Sequence, residues 1–456
     1  MSNDRTRPAS RTRVVGRRLL ACGVLGSVVG LSSCAGQETE TVALDYWLWD
    51  TNQLLPYQEC VDRFEEQNPE ISVRISQYGF DDYWTKLTAG FVAGAGPDVL
   101  TNHLTRYPEY VERGLLHDLS DLPATSSISG EEYQEGLWGL WEGQDGGQYG
   151  IPKDFDAVGL FYNEEMLEEA GLSPEDLEDM EWNPDDGGTF EEVIARLTVD
   201  ADGVRGDEEG FDPDNVEVYG FATNGSGGAT GQTEWSWLAG SNGWTVTNAE
   251  VWGDEYHYDD PQLHESLEWL FGLVDKGYLA SYEEVGGDSP PHQRMGAGSA
   301  AMGSGGSWDI QSFERLDGVD IDIAQLPSGP VGHPVSMYNG LADSITTDTE
   351  HPEEAAELVA FLGSAECQDI VGDAAVVLPA RPESTERAIE AFSAQGIDVE
   401  PFTDLVDEQY ILFHPVTEHY GSIGPMVDPV VEQMYVGTRD SEDLAEVNER
   451  VNALFD

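Results

Sequence analysis

Aromatic residues stand next to polar ones where three predicted strands of this chain end. Trp49 and Asp50 close the first strand, Asn102 and His103 close the third, and Trp308 follows a later strand in a Gly-Ser-Trp sequence. Ligands of open α/β sheets bind beyond the carboxyl ends of the strands. An aromatic ring covers an apolar face of a ligand, and carboxylates and amides hydrogen-bond its hydroxyl groups. These residues therefore predict a site of non-covalent ligand binding at the ends of the strands.

The sequence lacks the common catalytic motifs. It contains no G-x-S-x-G, no H-E-x-x-H, no P-loop and no G-x-G-x-x-G. Residues 200–210 resemble a calcium loop but miss the EF-hand spacing, so a solvated acidic loop is expected there. We expect no enzyme activity, no cofactor and no metal. The alternative is a secreted, lipid-anchored polysaccharide-degrading enzyme, which would need two carboxylates at a fixed separation and would shorten its sugar.

The charge balance excludes one class of partner and suggests an environment. The chain has 456 residues, 88 of them acidic and 21 basic, with a net charge of −67. A nucleic-acid surface needs clustered Lys and Arg, so none is expected. Disorder is also excluded, because 12 Trp, 18 Tyr and 15 Phe are spread along the chain. A folded body coated with carboxylates tolerates multimolar salt, where self-repulsion is screened, which predicts a halophilic source.

The N-terminal segment predicts export and anchoring. Residues 19–31 form an apolar run that is too short to span a bilayer but suits a signal peptide. Arg17 and Arg18 precede this run, as in a twin-arginine export signal, although Ala21 departs from that pattern. Residues 31–34 resemble a lipobox, in which Cys34 is lipidated and becomes the new N-terminus. The expected layout is a signal peptide at 1–33, a tether at 34–41 and a body held at the outer face of the cell membrane.

Two cysteines, Cys60 and Cys367, lie in the body. Outside the cell they could pair, but a sequence does not show whether their Cα atoms come within bridging distance. We expect two buried free thiols.

The body alternates predicted strands with predicted helices. Strands are expected at 42–50, 71–79 and 97–103, and helices between them at 54–68 and 82–96. This alternation implies a parallel sheet. Further helices are expected at 260–279 and at 351–372, the latter as one helix or two. A chain of this length exceeds one hydrophobic core, so two domains are expected.

Seven segments of the body, taken in order, match the motifs of a known family. They are AGAGPDVL (93–100), YGIPKDFDAVGLFYNEEML (149–167), WSWLAGSNGWTVTN (235–248), MGAGSAAMGSGGSWDI (295–310), AQLPSGP (324–330), HPEEAAELVAFLGSAECQ (351–368) and VVLPAR (376–381). In this order they resemble the extracellular solute-binding proteins of ABC importers, and most closely the large sugar-binding lipoproteins. Met295 and Ser299 depart from the Phe and Lys usual in that family.

The resemblance implies an α/β, two-lobed fold of the type II periplasmic-binding-protein kind, each lobe being a mostly parallel sheet flanked by helices. The chain would cross between the lobes near residues 154–158, 337–341 and 375–379. The N-terminal lobe would comprise 42–155 and 341–376, and the C-terminal lobe 156–340 and 377–456. A monomeric receptor of this family closes over a sugar or oligosaccharide by a hinge motion and delivers it to the membrane permease subunits.

Candidate ligand-binding residues lie at strand ends, early in the second predicted helix, at the first crossing, in the matching segments and in the stretch HPVTEHYGSI (414–423). Trp308 is the expected stacking platform, with Trp49 and Asp50 nearby. The remaining candidates are polar or aromatic residues expected near the cleft: Asn242, Trp244, Asn102, His103, Asp156, Tyr83, Trp84 and Tyr420. Few Lys and Arg stand near these positions, which disfavours phosphorylated or anionic ligands.

Overall fold

The structure, a computed structural model, describes residues 41–285 and 289–456. The predicted signal peptide, most of the tether and the expected lipidation residue Cys34 lie outside the described residues. Within the described part, every helix is too short or too polar to cross a membrane.

The described strands form two β-sheets. In chain order they are β1 (Val42–Leu48), β2 (Ile71–Gln77), β3 (Val99–His103), β4 (Ile151–Asp156), β5 (Val158–Asn163), β6 (Val199–Asp200), β7 (Val216–Ala222), β8 (Ala300–Gly306), β9 (Ile321–Ala324), β10 (Ser336–Ile345), β11 (Leu378–Pro379) and β12 (Ile411–Phe413). The first sheet has the order β11-β4-β10-β3-β1-β2, with β12 paired to β10. The second sheet has the order β6-β7-β8-β5-β9.

Helices cover both sheets. In chain order they are α1 (Leu54–Gln67), α2 (Phe80–Ala93), α3 (Tyr107–Glu112), α4 (Glu164–Glu169), α5 (Glu175–Glu178), α6 (Gly188–Leu197), α7 (Ser236–Ser241), α8 (Pro261–Asp275), α9 (Tyr282–Val285), α10 (Pro291–Gly296), α11 (Ile310–Glu314), α12 (Pro352–Leu362), α13 (Ala365–Asp373), α14 (Pro382–Ala394), α15 (Glu400–Asp407), α16 (Tyr420–Tyr435) and α17 (Leu444–Asn452). The helices predicted from the sequence are confirmed as α1, α2, α8 and the pair α12 and α13.

Local sequence explains which face of α1 is buried and where α1 and α2 end. In α1 the buried residues include Tyr57, Cys60, Val61 and Phe64, which share one face at helical spacing. The helix stops at Asn68, whose side-chain amide donates to the carbonyl oxygen of Phe64 at 3.0 Å. The next helix, α2, ends at Gly94 in the left-handed conformation with φ +60°, which glycine adopts without steric cost.

The two sheets form the two predicted lobes, and two clusters of buried hydrophobic side chains pack against them. The first cluster packs α1, α2, α12, α13 and α14 against the first sheet, and it continues onto the second sheet at Phe161, Ala222 and Ile323. The core of the second lobe packs α6, α7, α8, α16 and α17 against the second sheet. Strand β4 ends in the first sheet at Asp156, and β5 starts in the second sheet at Val158. The first crossing therefore lies within the predicted residues 154–158.

The prediction that each lobe is a mostly parallel sheet is wrong in detail. In the first sheet β1 runs parallel to β2 and β3, but β10 is antiparallel to β3 and β4. In the second sheet β5 is antiparallel to β8 and β9, and β6 to β7, while β7 and β8 are parallel. The physical reason is the crossing itself, because β10 returns to the first sheet from the second lobe and enters between β3 and β4 in the opposite direction.

The segment after the third predicted crossing stays against the first lobe. Strand β11 pairs with β4, and α14 packs on α13. The second core is reached further along the chain, where Leu405 of α15 and Ile423 of α16 are buried in it. The exact residue boundaries of the two lobes remain a prediction.

Cys60 and Cys367 form a disulfide, so the expectation of two free thiols was wrong. Both residues are fully buried, as expected, and their Cα atoms lie 5.1 Å apart. The bond joins α1 to α13 within the first lobe, 307 residues apart in sequence. The sequence could not reveal the pairing because it depends on how α1 packs against α13. A disulfide of this kind persists in an oxidising compartment, which suits a protein outside the cytoplasm.

Candidate functional site

An aromatic cluster lies beyond the carboxyl ends of β1 and β3. The ring centroid of Trp49 is 5.1 Å from that of Tyr83 and 5.2 Å from that of Trp84, both on α2. Tyr83 is buried, and its hydroxyl donates to the carbonyl oxygen of Thr101 at 2.5 Å. His103, at the end of β3, lies 6.5 Å from Trp49. Because Trp49 stays partly exposed, this cluster can offer an aromatic surface to a solute.

Asp50 lies beside this cluster and next to the first crossing. Its carboxylate accepts a hydrogen bond from the backbone N–H of Asn52 at 2.8 Å. Two residues further on, the side-chain amide of Gln53 donates to Asp154 Oδ2 at 2.9 Å. Burial raises the pKa of both Asp50 and Asp154, and the nearby charge of Lys153 opposes that rise.

Trp308 follows β8 of the second lobe and packs directly on its backbone. A methyl group on Gly306 would collide with the indole ring of Trp308, so only glycine allows this close approach. The intervening Ser307 donates its hydroxyl to Asp156 Oδ1 at 2.8 Å. This hydrogen bond links the end of β8 in the second sheet to the end of β4 in the first sheet. Trp308 therefore lies at the junction of the two lobes.

Five carboxyl groups gather at this junction. They are Asp50, Asp154, Asp156, Asp309 and Glu234. Burial raises the pKa of Asp309 to about 6 and that of Glu234 to about 7. Burial, followed by the charge of Asp154, raises the pKa of Asp156. The charge of Asp50 contributes to the raised pKa of Asp154, Asp156 and Asp309, so these groups share one region of negative potential.

A pair of histidines lies near Trp49 at the junction of the lobes. His103 of the first lobe packs edge-on against His414, with ring centroids 5.4 Å apart. His414 follows β12, lies 5.9 Å from the ring of Tyr420, and its Nε2 is 3.5 Å from the hydroxyl of Thr230 in the second lobe. Burial lowers the pKa of His414 to about 3. Both imidazoles are therefore neutral at neutral pH, because burial also lowers the pKa of His103.

The structure brings together eight of the eleven candidate residues. Around the junction of the lobes it places Trp49, Asp50, Tyr83, Trp84, His103, Asp156, Trp308 and Tyr420.

Three candidates have other contacts. Asn102 is fully buried and donates to the hydroxyl of Ser344 at 3.2 Å. Trp244 is buried in the second core, and its indole N–H donates to the carbonyl oxygen of His257 at 2.8 Å. Asn242 donates to the carbonyl oxygen of Gln262 at 3.0 Å and lines a groove on the second lobe instead.

Several polar residues at the junction were not nominated from the sequence. They are Glu234, His414, Thr230 and Asn339. Asn339 lies in the predicted second crossing, residues 337–341, so a polar side chain in that segment was a usable signal. His414 and Thr230 gave no such signal, because their contact depends on the packing of β12 against the second lobe.

Metal ligation finds no support in the geometry of the described part. Among residues 41–285 and 289–456, no three His, Cys, Asp or Glu side chains are grouped to hold a metal ion. In the acidic loop at 200–210, the carboxylate of Asp200 accepts the backbone N–H groups of Asp202, Val204 and Asp212. Those hydrogen bonds lower the pKa of Asp200, and they hold the loop together through its own backbone N–H groups.

The junction is suited to hold a solute non-covalently. Its aromatic rings offer apolar surface from both lobes, through Trp49 and Trp308. Its carboxylates accept hydrogen bonds, and their negative potential repels anions. A neutral ligand with apolar faces and many hydroxyl groups satisfies both features.

Comparisons with known proteins agree with this geometry. A family described as bacterial extracellular solute-binding protein matches residues 59–396. The lactose-binding protein of Rhizobium radiobacter is 29% identical over 143 residues, covering 30% of this chain and 32% of that protein. The galactooligosaccharide-binding protein of Bacillus subtilis is 24% identical over 359 residues, covering 76% of this chain and 73% of that protein.

A solved structure has the same fold. The ABC substrate-binding protein from Listeria monocytogenes in complex with cycloalternan superposes with a TM-score of 0.75 at 21% identity, covering 91% of this chain and 99% of that one. The two-lobed, type II binding-protein fold is thereby confirmed. Since the family match extends over most of the chain, the chain belongs to the bacterial extracellular solute-binding proteins, which act outside the cytoplasm and bind a solute rather than transform it.

Proposed function

We propose that this chain is the substrate receptor of an ABC importer and captures a neutral sugar or oligosaccharide between its lobes. The observation that carries the proposal is the junction of the lobes, where Trp49 and Trp308 flank the carboxylates of Asp50 and Asp156. Sugars have flat C–H faces and a rim of hydroxyl groups, which call for aromatic surfaces and hydrogen-bond acceptors. The names of the lactose-binding and galactooligosaccharide-binding relatives support this ligand class.

The charges at the junction support a neutral ligand. Five carboxyl groups gather near Asp156, whereas the ammonium group of Lys153 forms an ion pair with Asp343 at 3.8 Å. Arg106 is a second cation in the region, and its guanidinium lies 5.3 Å from the ring of Trp84. A phosphorylated sugar would need several free cationic donors and would be repelled by the carboxylates.

Hinge closure is the proposed mechanism of capture. The ligand would contact Trp49 in the first lobe and Trp308 in the second, so it would stabilise the conformation in which these residues approach each other. A ligand that binds one conformation better shifts the population toward it. The permease subunits would then recognise the closed form and receive the sugar.

The proposed location is the outer face of the cell membrane. A twin-arginine signal, cleavage at the lipobox and lipidation of Cys34 would anchor the protein there, and a lipid anchor raises its effective concentration near the permease. The net charge of −67 supports a halophilic source. The receptor is proposed to act as a monomer without cofactor.

Replacing Trp308 with alanine tests the binding site. Loss of the stacking surface should weaken sugar binding by roughly tenfold, which corresponds to about 1.4 kcal/mol. Calorimetry in multimolar salt would measure it, after a thermal-shift screen against neutral oligosaccharides has found a binder.

The matched control for Trp308→Ala is Trp138→Ala. Trp138 is also partly buried, but it packs against Tyr133 in the first lobe, with ring centroids 5.5 Å apart. Its removal should leave affinity unchanged. An equal affinity of Trp308→Ala and wild type would remove Trp308 from the site, and recovery of shortened sugar would contradict the receptor function.

Replacing Cys34 with serine tests the anchor. Serine offers no thiol for lipidation, so the variant should be found in the medium while the wild type sediments with membranes. Immunoblotting of the two fractions is the measurement. A variant that remains in the membrane fraction would show that the anchor lies elsewhere.

A further inference from the structure

Asn339, in the predicted second crossing, has a buried side-chain amide of which only one end is hydrogen-bonded. The residue is 4% exposed and lies in β10. One end of the amide meets His103, with Nδ2 3.2 Å from the ring Nε2. The other end has no hydrogen-bond partner in the described part of the chain. Because a buried polar group left unpaired costs free energy, the free end points to a group that the folded chain does not supply.

Thr105 determines which ring nitrogen of His103 carries the hydrogen. The backbone N–H of Thr105 donates to Nδ1 at 3.2 Å, and the hydroxyl of Thr105 lies 2.9 Å from the same nitrogen. A backbone N–H can only donate, so Nδ1 is the acceptor. Burial lowers the pKa of His103 well below its usual value, so the ring is neutral and its single hydrogen lies on Nε2.

The hydrogen on His103 Nε2 determines how the Asn339 amide is oriented. The oxygen and nitrogen of an amide are distinguished by their hydrogen-bond partners. A nitrogen facing Nε2–H would place two donors against each other. The amide therefore turns its carbonyl oxygen toward Nε2–H, and its NH2 group becomes the free end.

Asp156 supplies an acceptor beside this donor. Asn339 and Asp156 are direct partners in the register of β10 and β4, so their side chains leave the same face of the sheet. The carboxylate of Asp156 is held at Oδ1 by the hydroxyl of Ser307 at 2.8 Å. A donor and an acceptor thus stand side by side, and each is oriented by a further residue.

We propose that Asn339 and Asp156 form a subsite for one sugar hydroxyl group. The amide N–H of Asn339 donates to the hydroxyl oxygen, and the hydroxyl hydrogen is donated to Asp156. His103 and Ser307 are positioning residues, one for each partner. A hydroxyl both donates and accepts and therefore matches the pair, whereas a deoxy sugar does not. This subsite rests on the proposed function and names the group that the cleft selects.

Calorimetry in multimolar salt tests the subsite, with lactose, β-1,4-galactotriose and α-1,5-arabinotriose as probes. The variant Asn339→Leu removes the donor at similar size and should weaken binding by roughly tenfold or more. The same probe is then tested as a series of analogues that each lack one hydroxyl group. One analogue should bind the wild type more weakly than the intact probe by a similar factor, but should bind Asn339→Leu about as well as the intact probe does. Unfolding midpoints without sugar identify any variant that fails to fold.

Two substitutions of His103 separate positioning from packing. Glutamine can place an amide N–H near the position of Nε2, so His103→Gln should keep most of the affinity. Asparagine is too short to reach Asn339, so His103→Asn should lose about as much affinity as Asn339→Leu. Equal losses in both variants, or none in either, would overturn the positioning role.

The ring hydrogen can also be observed without sugar. Nitrogen-15 NMR of His103 should show the hydrogen on Nε2, and a hydrogen on Nδ1 would overturn the amide orientation. If the wild type binds none of the three probes, the result would contradict both the proposed function and the subsite. A probe that binds the wild type and Asn339→Leu equally well would overturn the subsite alone.

Discussion

Replacing Lys153 with methionine should lower the free energy of unfolding by about 3–5 kcal/mol, the usual cost of removing one partner of a buried ion pair. The side chains of Lys153 and Asp343 are 1% and 2% exposed, and their charged atoms lie 3.8 Å apart. The ammonium also donates to the hydroxyls of Tyr46 at 2.9 Å and Thr101 at 3.1 Å. Methionine fills similar space but leaves the carboxylate of Asp343 buried without a cation.

The loss should grow as the pH rises. Burial already raises the pKa of Asp343, and the charge of Lys153 opposes that rise, so the pKa climbs further in Lys153→Met. A group whose folded pKa exceeds its unfolded pKa favours the folded state at low pH, and this contribution disappears as pH rises through the folded pKa. Chemical denaturation at pH 5 and pH 8 should therefore show a larger deficit at pH 8.

Two companion variants make this prediction specific. Lys276 forms an ion pair with Glu191 at 2.5 Å, but its side chain is 44% exposed. Lys276→Met should therefore cost at most about 1 kcal/mol. The double variant Lys153→Met with Asp343→Asn removes the unpaired charge and should recover much of the loss. Equal costs for Lys153→Met and Lys276→Met would contradict the argument.

The position of Lys153 links stability to the binding site. Lysines are scarce in this chain, with only Lys86, Lys153 and Lys276 in its sequence. The buried one lies on β4, one residue before Asp154, in the strand that crosses between the lobes. Its charge lowers the pKa of Asp154 and Asp50 against the effect of burial. Lys153 therefore limits the rise in the pKa of Asp154 and Asp50 that burial causes.

Much of the first lobe could be predicted from the sequence because its signals are local. Alternating polarity marked β1, helical spacing marked α1, and the glycines at the end of α2 marked its stop. The pairing of β10 between β3 and β4 could not be predicted in this way. It joins Asn102 to Ser344, 242 residues apart, and no short segment contains that information.

The candidate site shows the same division between local and distant signals. Trp49 and Trp308 were nominated because aromatic residues follow strand ends, and the structure places both at the junction. In the segment with Asn242 and Trp244, the dipeptide Asn242-Gly243 is a local turn signal, and the chain turns there with Gly243 at φ +104°. The direction of Trp244 into the second core depends instead on its packing against Trp235.

Breaking the disulfide by Cys60→Ala should lower the free energy of unfolding by about 2–5 kcal/mol. The bond closes a loop of 307 residues between α1 and α13, and a long loop removes much conformational entropy from the unfolded chain. Denaturant titration of the variant against the oxidised wild type is the measurement. Cys367→Ala breaks the same bond and should give a similar loss, whereas Cys22→Ala, in the predicted signal peptide, should change nothing. Reductant should weaken the wild type but neither of the two body variants, and an unchanged wild-type midpoint would show that the two thiols do not pair.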